Sequence, residues 1–194
     1  MTRQDRIAKA PATYDDVLAA PPHMVAELID GALSLQPRPA SRHAYATSIL
    51  TGRIGSRFHQ GDGGPGGWWI LVEPELHLGP HVLVPDVAGW RRERMPAFPD
   101  APFFDLAPDW ACEVLSPSTR SRDLTEKRPL YAAHGVGHLW LVDPAARLLE
   151  AFRLGPDGWI VAGAVEDGDA VALPPFEAAP FPLDALWPPE DAGG

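Results

Sequence analysis

Lysine is nearly missing from this chain. Of its 16 lysines and arginines, only Lys9 and Lys127 are lysines. Cysteine is scarcer still. The single Cys112 excludes an internal disulfide, and its apolar neighbours predict a buried thiol. No uninterrupted apolar run approaches the roughly 18 residues that a membrane-spanning helix needs. Surplus positive charge is also lacking, because the formal net charge is -10. That balance argues against broad, non-specific coating of nucleic acid, which wants a basic face. A local basic cleft stays open, since net charge does not say how charge is distributed. The N-terminal stretch MTRQDRIAKAPATYDDV carries charges and lacks the apolar core of a secretory signal, so a cytoplasmic location is the default expectation.

What the chain does have is a globular composition, 45% hydrophobic, punctuated by 23 prolines and 18 glycines. Its 194 residues fit one domain. TYDDVLAA (13–20) predicts a short helix with Thr13 as N-cap and Asp16 completing a capping box. HMVAELIDGALSLQP then reads as a hairpin turning at Asp30-Gly31. Ala46, Ile49, Leu50 and Ile54 recur at helical spacing within 42–58. The loop HQGDGGPGG lacks the lysine of a phosphate-cradling Walker loop. Strands are predicted at 68–78, 82–90, 109–115, 138–143, 147–154 and 159–165, with a helix at 123–134. The proline-rich tail, 166–194, reads as an extension that wraps the surface or docks on a partner. This order predicts an α/β (α+β-like) domain, a central mixed sheet flanked by helices.

Chemistry concentrates in a few carboxylates. In DWACEVLS, Glu113 shares a strand face with Ala111 and Leu115. A carboxylate among apolar neighbours is costly unless it is paired, protonated or bound to a metal. VLVPDVAGW repeats the pattern at Asp86, where Pro85 removes a backbone donor and marks an edge, bulge or strand start. Two carboxylates at neighbouring strand ends suit Mg2+ (or Mn2+), a hard cation that needs few protein ligands and keeps its waters. Glu27, in VAELIDG, is a third carboxylate able to point inward. Lys127 follows in the 123–134 helix, with Asp123 read as its N-cap, Glu126 at N3 and Tyr131 one turn further on. A compact ammonium reaching back over the strand end would steady an attacking water or hold a phosphate. Tyr131 reads as its packing and hydrogen-bonding support. Arg120, Arg122 and Arg128 crowd the same connection, and Arg120 and Arg122 are the candidate phosphate contacts. Each residue also has a bland reading: strand-end carboxylates meeting arginines, and a surface lysine paired with Asp123 at i,i+4. His43 would contact phosphate or sit on a helix surface, and Glu73 and Glu75 stay outside the catalytic set.

The segments ELIDG (27–31), EPEL (73–76), VPDVAGW (84–90), EVLSPSTRSRDLTEKRPLYAAHGV (113–136) and LWLVDP (139–144) resemble the family of putative restriction endonucleases within the PD-(D/E)xK phosphodiesterase superfamily. The resemblance covers roughly 13–165, and the long run from Glu113 to Pro144 is its specific part. It implies a restriction-endonuclease-like core and metal-dependent phosphodiester hydrolysis. The superfamily's aspartate falls on Asp86, its second acidic residue on Glu113, and its auxiliary N-terminal glutamate on Glu27. The usual lysine, two residues after the second acidic one, is replaced by Leu115, and the resemblance assigns that role to Lys127 on the following helix.

Two functions compete on this reading. One is a Mg2+-dependent endonuclease acting on DNA, with Glu27, Asp86, Glu113 and Lys127 as catalytic groups. A homodimer would serve it, because two strand breaks need two sites. The other is a catalytically weak or inactive nuclease-fold protein acting as an oligomerising or partner-binding module. The acidic charge, the proline-rich tail and the missing strand lysine motivate the second.

Overall fold

The computed structural model of the protein describes residues 10–37 and 40–189. Lys9 and the outer ends of the expected 1–194 domain and its 166–194 extension lie outside the described residues. The first helix, α1 (Tyr14–Leu18), starts as its sequence predicts: Asp16 Oδ2 accepts the backbone N–H of Thr13 at 2.8 Å. Strands β1 (Met24–Ile29) and β2 (Ala32–Pro37) pair antiparallel. Asp30 and Gly31 both take positive φ, 49° and 73°, the geometry of a tight hairpin turn that asparagine, aspartate and glycine tolerate.

The two long strands expected at 68–78 and 82–90 are a correction. Each is broken in the middle, giving β3 (Trp68–Val72), β4 (Leu76–Leu78), β5 (His81–Leu83) and β6 (Val87–Arg91). The breaks have local causes. Glu73 sits at φ 48° ahead of Pro74, and Pro85 has no N–H to give to a ladder. Each half therefore joins a different sheet. A four-stranded sheet runs β2-β1-β5-β4. With β7 (Trp110–Val114), β8 (His138–Asp143), β9 (Leu148–Gly155) and β10 (Gly158–Glu166), a six-stranded sheet runs β10-β9-β8-β7-β6-β3. In this larger sheet β7 and β8 are parallel, while the remaining neighbours pair antiparallel. A parallel pair needs a crossover. Here it is α3 (Arg120–Arg122), a π-helical turn (Asp123–Lys127) and α4 (Arg128–Ala133) in succession.

That crossover begins three residues earlier than the sequence suggests. The N–H groups of Thr119 and Arg120 already bond back to the Ser116 carbonyl, at 3.2 and 2.9 Å, so the helix is under way before Asp123. Asp123 is thus not an N-cap, and Glu126 does not complete a capping box. Glu126 pairs with Arg122 instead, 3.7 Å away.

The central sheet is covered on both faces. Helix α2 (Ser41–Ile54) lays Ala46, Leu50 and Ile54 on the face formed by Trp110, Cys112 and Val114. The proline-rich segment does more than wrap the surface. Leu173, Phe176, Phe181, Leu183 and Leu186 enter this same core, and the Phe176 ring lies 4.9 to 5.6 Å from those of Trp68, Trp110 and Trp140. The other face packs Leu115, Tyr131, Val136, Leu139 and Leu141. Among the described residues no helix is long and apolar enough to cross a membrane.

Candidate active site

The two sheets meet where the chain leaves β5 and enters β6, at Val84–Asp86. Asp86 precedes β6, and its Oδ2 accepts the Val114 N–H of β7 at 2.7 Å. The carboxylate thus continues the β6–β7 ladder with a side-chain bond in place of a backbone one. Glu113 is the fourth residue of β7, on the face opposite Trp110, Cys112 and Val114. Glu27 comes from β1. Its Oε1 accepts the Val84 N–H and its Oε2 accepts the Gln36 amide, both at 2.9 Å.

Lys127 closes this set. Its Nζ lies 2.8 Å from Glu113 Oε1, 3.1 Å from Glu27 Oε1 and 3.7 Å from Asp123 Oδ1, and donates to the Val84 carbonyl at 3.2 Å. The π-helical turn puts it there. Arg128 N–H bonds five residues back to Asp123, and the next residue, Pro129, has no N–H that an ordinary α-turn would use. Tyr131, one turn beyond, donates its hydroxyl to Glu113 Oε1 at 2.5 Å. A cavity of about 340 Å³ opens over these groups, lined by Glu27, Glu73, Asp86, Glu113, Asp123 and Lys127, with His43 from α2 and the 116–119 turn at its walls.

Burial makes the electrostatics severe. Glu27, Glu113, Asp123 and Lys127 are each at most 3% exposed. Desolvation alone would push the lysine towards neutrality, but Glu113 and Glu27 outweigh it and hold Lys127 well above the ordinary lysine value. Desolvation drives the Glu113 carboxyl well above its usual range, against the pull of Lys127. Asp123 rises for the same reason, against Lys127 and a Thr119 hydrogen bond. One ammonium does not offset the burial of both, so Glu113 and Asp123 each keep a proton to higher pH than a free carboxyl does. Lys127 stays a cation throughout, which suits it to electrostatic work and not to proton abstraction.

Comparisons with known proteins agree with the architecture. The Uma2 family model, described as "Putative restriction endonuclease", matches residues 11–183. The chain belongs to the Uma2 family. Among solved structures, this Uma2 chain is similar to a putative nuclease belonging to DUF820 from Anabaena variabilis ATCC 29413. The two are 24% identical with a TM-score of 0.69, over 91% of this chain and 97% of that one, a likeness that establishes the restriction-endonuclease-like fold. No curated protein matches the chain.

The Uma2 cavity offers a hard-oxygen donor set of the kind Mg2+ takes. Asp86 and Glu113 both line it. Each Asp86 oxygen already accepts one hydrogen bond, but ligating carboxylates are ordinarily hydrogen-bonded as well, and a second lone pair is left on each. On Glu113, both Lys127 and Tyr131 use Oε1, which leaves Oε2 for a ligand. The donors therefore fit a two-carboxylate site. Among the described residues no group of three or more His, Cys, Asp or Glu side chains is arranged to hold a metal ion.

Of the residues singled out in the Uma2 sequence, Glu27, Asp86, Glu113 and Lys127 line one cavity, with Tyr131 beneath Glu113. The two arginines lie outside the lining. Arg120 is ion-paired with Asp143, and Arg122 stands between Glu126 and Glu27, 4.0 Å from the latter. Leu115 is buried in the apolar core. Asp123, His43 and Glu73 also line the cavity, although the catalytic set chosen from sequence left them out. Signals existed for two of them. Asp123 lies one turn before Lys127 on the same helix face. His43 continues the inward stripe of Ala46, Leu50 and Ile54.

Proposed function

We propose that this Uma2 protein hydrolyses phosphodiester bonds in DNA at the Glu27–Asp86–Glu113–Lys127 cavity, with Mg2+ or Mn2+ as cofactor. The observation that carries the reading is convergence: side chains from β1, the β5–β6 junction, β7 and the crossover helix reach one small cavity. Asp86 and Glu113 would hold the cation. When bound, it would polarise the phosphoryl group and make water a better nucleophile. The protein's own groups supply the rest. Glu27 and Glu113 aim the Lys127 ammonium, and Tyr131 fixes Glu113. A fixed, water-excluded cation beside a phosphoryl group stabilises the charge that develops on its oxygens, an effect worth about 10²–10³ in kcat for a single preorganised donor. The test is incubation of supercoiled, linear and single-stranded DNA with Mg2+ or Mn2+. Cleavage that persists undiminished in Glu113→Ala would remove the site assignment.

A second reading is supported at least as well: a nuclease-fold protein that cleaves weakly or not at all and works as an oligomerising or partner-binding module. Its support is specific. Lys127 is already engaged by three carboxylates and a carbonyl, both Asp86 oxygens have partners, and the described residues form no three-group metal cluster. Calorimetric titration with Mg2+ and Mn2+ separates the two. Uptake that disappears in Asp86→Ala favours the endonuclease, and no uptake favours the module.

A further inference from the structure

We propose that His43 is a positioning residue that fixes Asp86 for cation binding, a role that rests on the reading of Asp86 as a cation ligand. His43 is the third residue of α2 and is buried at the cavity wall. Its Nε2 lies 3.1 Å from Asp86 Oδ1. Only a ring nitrogen carrying a proton is attracted to a carboxylate oxygen at that distance, so Nε2–H is the donor. The other ring nitrogen, Nδ1, lies 3.5 Å from Thr47 Oγ1, one turn along the helix. Thr47 Oγ1 also donates to the His43 carbonyl at 3.0 Å, so the Nδ1 edge of the ring faces its own helix. Neither nitrogen presents a lone pair to the cavity. In this geometry His43 is neither a metal ligand nor a base for water.

What the imidazole does is complete a clamp. Asp86 stands just outside β6, and its terminal torsion is a broad, two-fold well that sets no orientation by itself. The Val114 N–H of β7 holds Oδ2, and His43 of α2 holds Oδ1. Two elements on different sides of the junction thereby fix the carboxylate plane, and the remaining lone pairs are left in a set direction. Removing such an outer partner of a ligand typically weakens metal binding about 10–100-fold.

The test compares His43→Leu, which keeps bulk without a donor, with His43→Gln, whose amide N–H reaches the position of Nε2. Mn2+ is titrated calorimetrically into the full chain, and thermal unfolding is followed alongside. The expected result is an Mn2+ affinity about 10–100-fold weaker in His43→Leu, with most of the loss restored in His43→Gln. Should the leucine variant not fold, His43→Asn, whose shorter amide does not reach Asp86, takes its place. Leucine binding Mn2+ as the wild type does, or glutamine as weak as leucine, overturns the positioning role and leaves the endonuclease reading standing. A wild-type protein that takes up no Mn2+ overturns both.

Discussion

The two faces of β7 are buried equally and held together differently. On one, Trp110, Cys112 and Val114 meet Trp140, Phe176 and the α2 stripe. On the other, Glu113 sits between Ala111 and Leu115 and meets Lys127 and Tyr131. The first face draws on packing, which is non-directional and tolerates rearrangement at modest cost. The second depends on a closed set of partners, where each group is costly once its neighbour leaves. A single strand thus packs only apolar side chains on one face and sets the candidate chemistry among apolar neighbours on the other, separated by the period of two.

The comparison breaks most sharply at Lys127. Lys127→Met should cost about 3–5 kcal/mol, because buried carboxylates lose their counter-charge. Glu113→Gln added to it should recover part of that loss, while cleavage returns in neither variant; urea denaturation and a plasmid assay measure the two. Trp110→Ala, on the opposite face, should cost a similar ~3–5 kcal/mol through cavity formation. It differs in leaving Mn2+ binding intact wherever the protein remains folded, since Trp110 is absent from the cavity lining.

Smaller changes sharpen the contrast. Tyr131→Phe should cost about 1–3 kcal/mol, the price of one lost donor to a buried carboxylate. Trp110→Phe should cost no more than about 1.5 kcal/mol, for the Trp110 indole N–H is buried with no hydrogen-bond partner among the described residues and its removal offsets lost volume. The smallest effect belongs to the half-exposed Arg120, paired with Asp143 outside the cavity. Arg120→Ala should change stability by less than about 1 kcal/mol.

Asp143 gives that pair a pH signature. Burial would raise its carboxyl, but the Ala146 and Ala145 N–H groups and Arg120 prevail and hold it below the ordinary aspartate value. A depressed carboxyl adds stability that is present above the unfolded value, near 3.8, and is lost as pH falls through the folded one. Denaturation curves between pH 6 and pH 2 should therefore lose part of their acid limb in Asp143→Asn.

Much of this was legible in the linear chain wherever the cause was local. Asp30-Gly31 announced its hairpin because few other pairs accept two positive φ values. The alternation in WACEV gave away both the strand and the odd glutamate within it. The partition of the strands was only half legible, because Pro85 marked an edge, bulge or strand start while 68–78 and 82–90 each still read as one strand. Only the packed protein shows that Glu73 and Pro85 are points where the chain changes sheets. Asp123 was read as a cap because its local pattern suits one equally well. The turn at Ser116, which starts the helix earlier, is what sends it inward. Arg120 and Arg122 were read as phosphate contacts from crowding alone, and their ion pairs with Asp143 and Glu126 became visible only in the fold.

By itself, then, the sequence determined the alternating β7 strand, the rarity of Lys127 and the family to which the chain belongs, since these follow from residue identity and short-range spacing. Tertiary structure alone decided that a lysine fourteen residues after Glu113 touches it, that Glu27 reaches the same ammonium from another sheet, and that His43 grips Asp86. Such contacts arise when distant elements pack, and no local preference encodes where the ends of two sheets will meet.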